Sequence, residues 1–249
     1  MKFEKDKILI GSTVEETKLI EGGINWLFAQ RAMADLSLNA SELDILEIGP
    51  KHGYHTQCLD AYEPHSMTCV ESPTKFRDAE VFYNYNARWM PRIKCDSFDF
   101  HYTDFANFYT NNKYNLLFYT GVIYHNIDQI SHLRKLYELA SENAYMIFGS
   151  STTRNEKLKD MNVIEVHYPP YSPYYKGVKS CKFHPSRIAC MSMLEMTGWE
   201  VLFNESKYED IRFERDERIV LIAKKKNENE FDYWNRFVPG KISMNAGRK

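Results

Sequence analysis

Apolar residues along the chain fall into short blocks that alternate between strand-like and helix-like spacing. Thr13-x-x-Glu16 has the form of a capping box, in which the threonine accepts from an early helix amide and the glutamate reaches back to the cap. The helix it opens is interrupted at Gly22-Gly23, and a second runs through Trp26, Leu27, Phe28, Met33 and Leu36 to the polar turn Asn39-Ala40-Ser41. From Leu43 the pattern changes. Leu43 to Gly49 is a brief apolar run stopped by a glycine, followed by Gly53 and a helix through Leu59 to Tyr62. Further strands are predicted over Ser66–Glu71, more weakly over Phe98–Tyr102, then over Tyr114–Tyr119 and Ala144–Phe148. Helices are predicted between them from Thr74 to about Arg88 and over Gln129–Glu142, the latter from the spacing of Ile130, Leu133, Leu136, Tyr137 and Ala140.

Strands alternating with helices imply βαβ units, hence an α/β fold: a Rossmann-like, mostly parallel, seven-stranded sheet with helices on both faces. The last two strands, around Val201–Phe203 and Ile219–Ala223, are separated by a charged stretch and suit an antiparallel closing pair. Between them and the fifth strand lies Thr152 to Phe183, long, polar and rich in Tyr and Pro, after which Pro185 opens a helix that stops at Gly198. Residues 1–42 are expected to be N-terminal cover helices and 43–226 one domain, with 152–183 a substrate-side insertion. Residues 227–249 form a charged tail whose Phe231, Trp234 and Phe237 suit a short docking helix.

Composition narrows the class without naming a function. The 249 residues carry 32 Lys plus Arg against 34 Asp plus Glu, so there is no overall electrostatic footprint for nucleic acid or an anionic membrane. Charges at Lys2, Glu4, Lys5, Asp6 and Lys7 occupy the place of a secretory apolar run, and no apolar stretch approaches the ~20 residues that span a bilayer. A cytoplasmic location is the expectation. Five cysteines, widely separated and never in a C-x-x-C pair, read as small apolar core residues, and no histidine spacing suggests a metal.

In open α/β sheets ligands bind beyond the carboxyl ends of the strands. The turn there reads Glu47-Ile48-Gly49-Pro50-Lys51-His52-Gly53. A dinucleotide fingerprint started at Gly49 fails at Lys51 and Tyr54, whereas acid-x-G-x-G-x-G, the S-adenosylmethionine pattern, matches at Glu47, Gly49 and Gly53 and fails only at Lys51. That cofactor has no pyrophosphate to cradle; it needs close passage of backbone beside its methionine part and an acid for its ammonium group. Glu71 closes the second strand, placed to accept from ribose hydroxyls, and Asp104-Phe105 follows the third, an acid for the adenine amino group and a ring to cover the base.

On these residues the sequence resembles class I S-adenosylmethionine-dependent methyltransferases, and within them the tRNA wobble-uridine carboxymethyltransferase group. The finer likeness is carried by Leu46 to His55, by Gly121-Val122-Ile123-Tyr124-His125 with Leu133, by Phe183-His184-Pro185-Ser186 with the helix ending at Gly198-Trp199, and by Arg218 to Lys224; it covers about Asp44 to Lys225. It implies S-adenosyl-L-methionine as cofactor, with roles for Tyr124 and Arg218 near a carboxylated form of it. The group's long N-terminal extension with its basic motif is not matched, so ordinary methyl transfer is the inference.

Methyl transfer is an in-line displacement at a sulfonium, in which alignment supplies much of the acceleration. Tyr119, Thr120, Gly121, Tyr124 and His125 sit just past the fourth strand, with Tyr119 on the cofactor side and Tyr124 and His125 as catalytic candidates, His125 as base or as a structural cap. Tyr171, Tyr174 and Tyr175, in the insertion, are the expected acceptor wall, with Arg218 beside it. Three readings stay open: a methyltransferase for a small molecule or sugar, a tRNA-modifying relative, and a non-catalytic cofactor-binding subunit. Acceptor identity and oligomeric state are not legible.

Overall fold

The computed structural model describes residues 1–5, 13–20, 22–73, 87–168, 181–213 and 217–227. Helix α1 (Val14–Leu19) begins at the capping box: the Glu16 amide donates to Thr13 Oγ1 at 3.2 Å and the Thr13 amide to Glu16 Oε2 at 2.6 Å. Helix α2 (Gly23–Asp35) follows the glycine break. Then come β1 (Asp44–Ile48), α3 (Tyr54–Asp60), β2 (Ser66–Glu71), β3 (Phe98–Tyr102) and β4 (Tyr114–Thr120). The chain continues through α4 (Gln129–Leu139), β5 (Ala140–Ser151), β6 (Ile164–His167), β7 (Lys182–Pro185), α5 (Arg187–Met196), β8 (Trp199–Asn204) and β9 (Arg218–Lys225).

Seven strands form one sheet in the order β3-β2-β1-β4-β5-β9-β8, with β9 antiparallel to both its neighbours and the other pairings parallel. Strand residues alternate between two cores, as the period-two geometry of a strand requires. Leu46, Leu117, Tyr119, Met146, Phe148 and Leu221 face α4 and α5; Ile45, Leu116, Phe118, Ile147, Val220 and Ile222 face α2 and α3. Burial on both faces is why these strands read as nearly unbroken apolar runs. The N-terminal helices are integral to the second core: Trp26, Leu27, Phe28 and Met33 of α2 are buried in it.

Three expectations change in detail. The fourth-strand helix ends at Leu139, not Glu142, because Ala140 already pairs with Tyr114 at the start of β5. Pro185 does not open a helix: it ends β7, with its carbonyl accepting from the Thr153 amide at 3.0 Å, and Ser186 caps α5 by accepting from the Ala189 amide. The insertion contains strands: β6 and β7 pair antiparallel as a separate two-stranded ribbon. The predicted helix from Thr74 lies largely outside the described residues, as do the tail aromatics and Tyr171, Tyr174 and Tyr175.

Candidate functional site at the carboxyl edge of the sheet

The parallel strands β1, β2, β3 and β4 all end at one edge, and there the backbone turns left-handed repeatedly. Gly49 (φ +74°), Lys51 (φ +50°) and Gly53 (φ +66°) follow β1. Lys51 occupies the position where the cofactor pattern has a glycine and takes the backbone conformation a glycine would take. Its amide donates to Glu71 Oε2 at 2.9 Å, and the Gly49 amide donates to the Val70 carbonyl at 2.8 Å, so the turn is tied to the end of β2 at two points. Gly53 admits no side chain: a Cβ there would lie 2.2 Å from the Trp89 ring. Trp89, buried and packed against Phe98 and Phe100, is a partner the sequence reading did not include.

Glu71, buried at the end of β2, accepts from the Lys51 amide with one oxygen and from the Ser72 amide with the other, at 3.0 Å. Ser72 in turn donates from its hydroxyl to Asp104. Asp104 and Glu71 are thereby joined through one serine along the ends of β2 and β3. A carboxylate oxygen accepting one hydrogen bond retains capacity for another, so these contacts position the acids without exhausting them.

Glu47 lies deeper. Its carboxylate turns toward α3, where Thr56 Oγ1 donates at 2.6 Å, with Cys69 Sγ at 3.8 Å and His55 Nδ1 at 3.9 Å. Burial pushes its pKa up to about 7, and the charge of Glu71 pushes the same way, against the hydrogen bonds from Thr56 and Cys69. His55 also links this cluster to the N-terminal helices, with Nε2 3.0 Å from the Gly22 carbonyl.

Tyr119 and Phe105, at the carboxyl ends of β4 and β3, are packed in the core beneath α4. Tyr119 is fully buried, its hydroxyl 3.1 Å from His132 Nδ1, and the Phe105 ring stands 6.4 Å from Tyr119 and 5.3 Å from His132. The reason is the strand alternation itself, which turns Tyr119 to the same face as Leu117.

Past β4, Gly121 (φ +74°) faces open space among the described residues, and a short turn at Ile123–His125 carries both catalytic candidates. Tyr124 and His125 are half-buried, with ring centroids 4.4 Å apart. The strand that meets them is β7. Gln129 of α4 clamps it there, donating to the Phe183 carbonyl at 2.7 Å and to the Ile123 carbonyl at 3.3 Å. Lys182 Nζ contacts His125 Nδ1 and lies 5.7 Å from the Tyr124 ring centroid, and the His184 ring centroid is 5.2 Å from that of Tyr124. Burial, then the neighbouring His167, Lys182 and Arg154, lower the His184 pKa to about 4, partly offset by a backbone hydrogen bond to Thr152. Arg218 opens β9 opposite Ser151, exposed at the same edge. Lys182 carries no sequence signal: it is 57 residues from His125 and reaches it only through the ribbon.

No helix among the described residues is long and apolar enough to cross a membrane, and no group of His, Cys, Asp or Glu among them is arranged to hold a metal. Of the cysteines, Cys58, Cys69 and Cys190 are buried and Cys95 and Cys181 half-buried.

The sheet order, with its one antiparallel strand, is that of the Rossmann-like methyltransferase fold. An S-adenosylmethionine-dependent methyltransferase from Mesorhizobium loti superimposes with a TM-score of 0.57 at 11% identity, over 79% of this chain and 97% of that one. The CcbJ methyltransferase from Streptomyces caelestis gives 0.55 at 13%, over 76% and 86%. The 1,6-didemethyltoxoflavin-N1-methyltransferase of Burkholderia thailandensis, solved with its acceptor and S-adenosylhomocysteine bound, gives 0.53 at 10%, over 75% and 72%. No family model matches the sequence, and no curated protein matches it.

Proposed function

We propose that this chain is a class I S-adenosylmethionine-dependent methyltransferase acting on a small-molecule or sugar acceptor. The observation that carries this reading is the left-handed turn from Gly49 to Gly53, tied through the Lys51 amide to Glu71 and continued through Ser72 to Asp104. It lies at the carboxyl edge where α/β folds bind ligands. The turn brings backbone close to the methionine part; Glu71 supplies acceptor capacity for the ribose hydroxyls and Asp104 for the adenine amino group. Glu47, beneath the turn, offers a carboxyl group to the cofactor's ammonium, whose positive charge would favour the ionised form that burial opposes. Transfer proceeds by alignment of acceptor atom, methyl carbon and sulfur, with the half-buried Tyr124 and His125 flanking the acceptor side.

S-Adenosyl-L-methionine, when bound, supplies the electrophilic methyl group. The residues of the edge bind it, keep water from the methyl and orient the acceptor. The alternative of a tRNA (carboxy)methyltransferase-like enzyme draws on Tyr124 and Arg218 at this edge, but the near-neutral charge of the chain is unsuited to collecting phosphates. Mass spectrometry of what co-purifies with the full chain tests cofactor, carboxylation and acceptor together. S-Adenosylmethionine or its demethylated product is expected; a carboxylated cofactor would favour the tRNA-type alternative, and a nicotinamide dinucleotide would contradict the assignment.

A further inference from the structure

The strand alternation that turns Tyr119 beneath α4 turns its neighbour Thr120 the other way, to the face that α2 covers. Gly149 of β5 pairs with Thr120 across the sheet and shares that face. Its backbone is not left-handed, so the glycine is not there for its own conformation. A Cβ on it would stand 3.1 Å from Thr120 Cβ and 3.5 Å from Asn25 Nδ2. Glycine inside a strand marks a place that another group approaches closely, and here the first turn of α2 brings in Asn25. Asn25 and Thr120 are 7% and 8% exposed, and neither side chain has a hydrogen-bond partner among the described residues. Buried polar groups are ordinarily paired, because an unmet one costs stability. The fold gains no hydrogen bond from these two, yet both stand at the ligand edge, where Thr120 closes β4.

We propose that Asn25 and Thr120 form a substrate subsite that holds an uncharged hydroxyl group of the molecule receiving the methyl. The inference rests on the methyltransferase reading and names a chemical feature of its substrate. A carboxamide has a donor end and an acceptor end, and a hydroxyl is both, whichever way each is turned. A ligand hydroxyl can therefore accept from one of the pair and donate to the other. A carboxylate could only accept and an ammonium only donate. Either ion would leave part of the pair unmet, and neither Asn25 nor Thr120 supplies a counter-charge for it. The wrong ligand is thus rejected by the polar group it leaves unpaired, the mechanism by which a polar site discriminates most sharply.

Nitrogen-15 NMR of the full chain follows the Asn25 side-chain amide, assigned from its loss in Asn25→Asp. Ethanol, acetate and ethylammonium, probes of similar size that differ in charge, are titrated with and without S-adenosylhomocysteine. Ethanol should move the Asn25 signal saturably, and either ion should need about tenfold more for the same shift, the effect of leaving one buried polar group unpaired. Thr120→Val should weaken the ethanol response by a similar factor. Thermal melts separate a binding role from a structural one. Asn25→Leu and Thr120→Val remove groups that make no side-chain hydrogen bond in the fold, so both should melt at or above the wild-type temperature. Lower melting or failed folding of either variant would overturn the proposal. So would an equal response to either ion, no response to ethanol, or an undiminished response in Thr120→Val. Failure of S-adenosylhomocysteine to bind would strike the methyltransferase reading instead, because the ethanol response and the melts are also read without it.

Discussion

The backbone amide of Lys51 donates to Glu71 Oε2 at 2.9 Å, fastening the turn after β1 to the end of β2. This one bond explains how a lysine stands where the cofactor pattern has glycine. A left-handed backbone costs a residue with a Cβ roughly 1–2 kcal/mol, and a charge-assisted hydrogen bond of about 1.5–3 kcal/mol is enough to offset it.

Glu71→Ala should therefore act twice. On the proposed assignment it removes an acceptor from the ribose, and it releases the turn, so affinity for S-adenosylhomocysteine should fall about tenfold or more. Lys51→Gly, by contrast, relieves the backbone and should leave affinity within a few-fold. Calorimetry on both variants checks the pair; equal losses would show that the lysine side chain, not the backbone tie, matters.

Gly53→Ala should destabilise the fold by about 2 kcal/mol or more, from the positive φ and from overpacking against Trp89. Denaturant unfolding of Gly53→Ala in a Trp89→Leu background provides the control, where the overpacking part of the loss should disappear and the backbone part remain. If the loss is the same in both backgrounds, Trp89 is not what excludes a side chain.

Glu47 and His184 predict opposite pH limbs. The Glu47 carboxyl, raised from 4.5 to about 7, binds its proton more tightly in the folded state, so its contribution to stability is present below pH 4.5 and is lost as pH rises to about 7. Glu47→Gln, which keeps an acceptor for Thr56, should be more stable than wild type at pH 8 and not at pH 4. His184, lowered from 6.5 to about 4, contributes stability above pH 6.5 that is lost as pH falls to about 4. His184→Asn should flatten that acid limb. Thermal melts across pH read both; a Glu47→Gln melt parallel to wild type at every pH would refute the first assignment.

How far the site could be read from the chain depends on whether its parts are local. The capping box at Thr13, the glycine-ended β1 and the acids closing β2 and following β3 are each set by residues within a few positions, and they stand where the sequence places them. What the pattern could not supply is pairing across distance. The contact of Trp89 with Gly53, Thr56 beneath Glu47 and Lys182 against His125 all depend on the three-dimensional course of the chain. Facing was likewise hidden: a strand end names Tyr119, but only the sheet shows that it points into the core beneath α4.

Tyr171, Tyr174 and Tyr175 stand in the sequence between β6 and β7, outside the described residues, and β7 itself meets the Tyr124 turn. Replacing the three by alanine should leave cofactor affinity within a few-fold and abolish transfer, since aromatic faces orient an acceptor without touching the sulfonium end. Single-turnover assays with co-purified acceptor check this; unchanged transfer would move acceptor recognition to the N-terminal helices.

Calorimetric titration of the wild-type chain with S-adenosylhomocysteine and, separately, with NAD tests the central assignment most directly. Saturable binding of S-adenosylhomocysteine at one site per chain, weakened in Glu71→Ala, with no heat from NAD, is the predicted result. Binding of NAD, or no binding of S-adenosylhomocysteine, would contradict it.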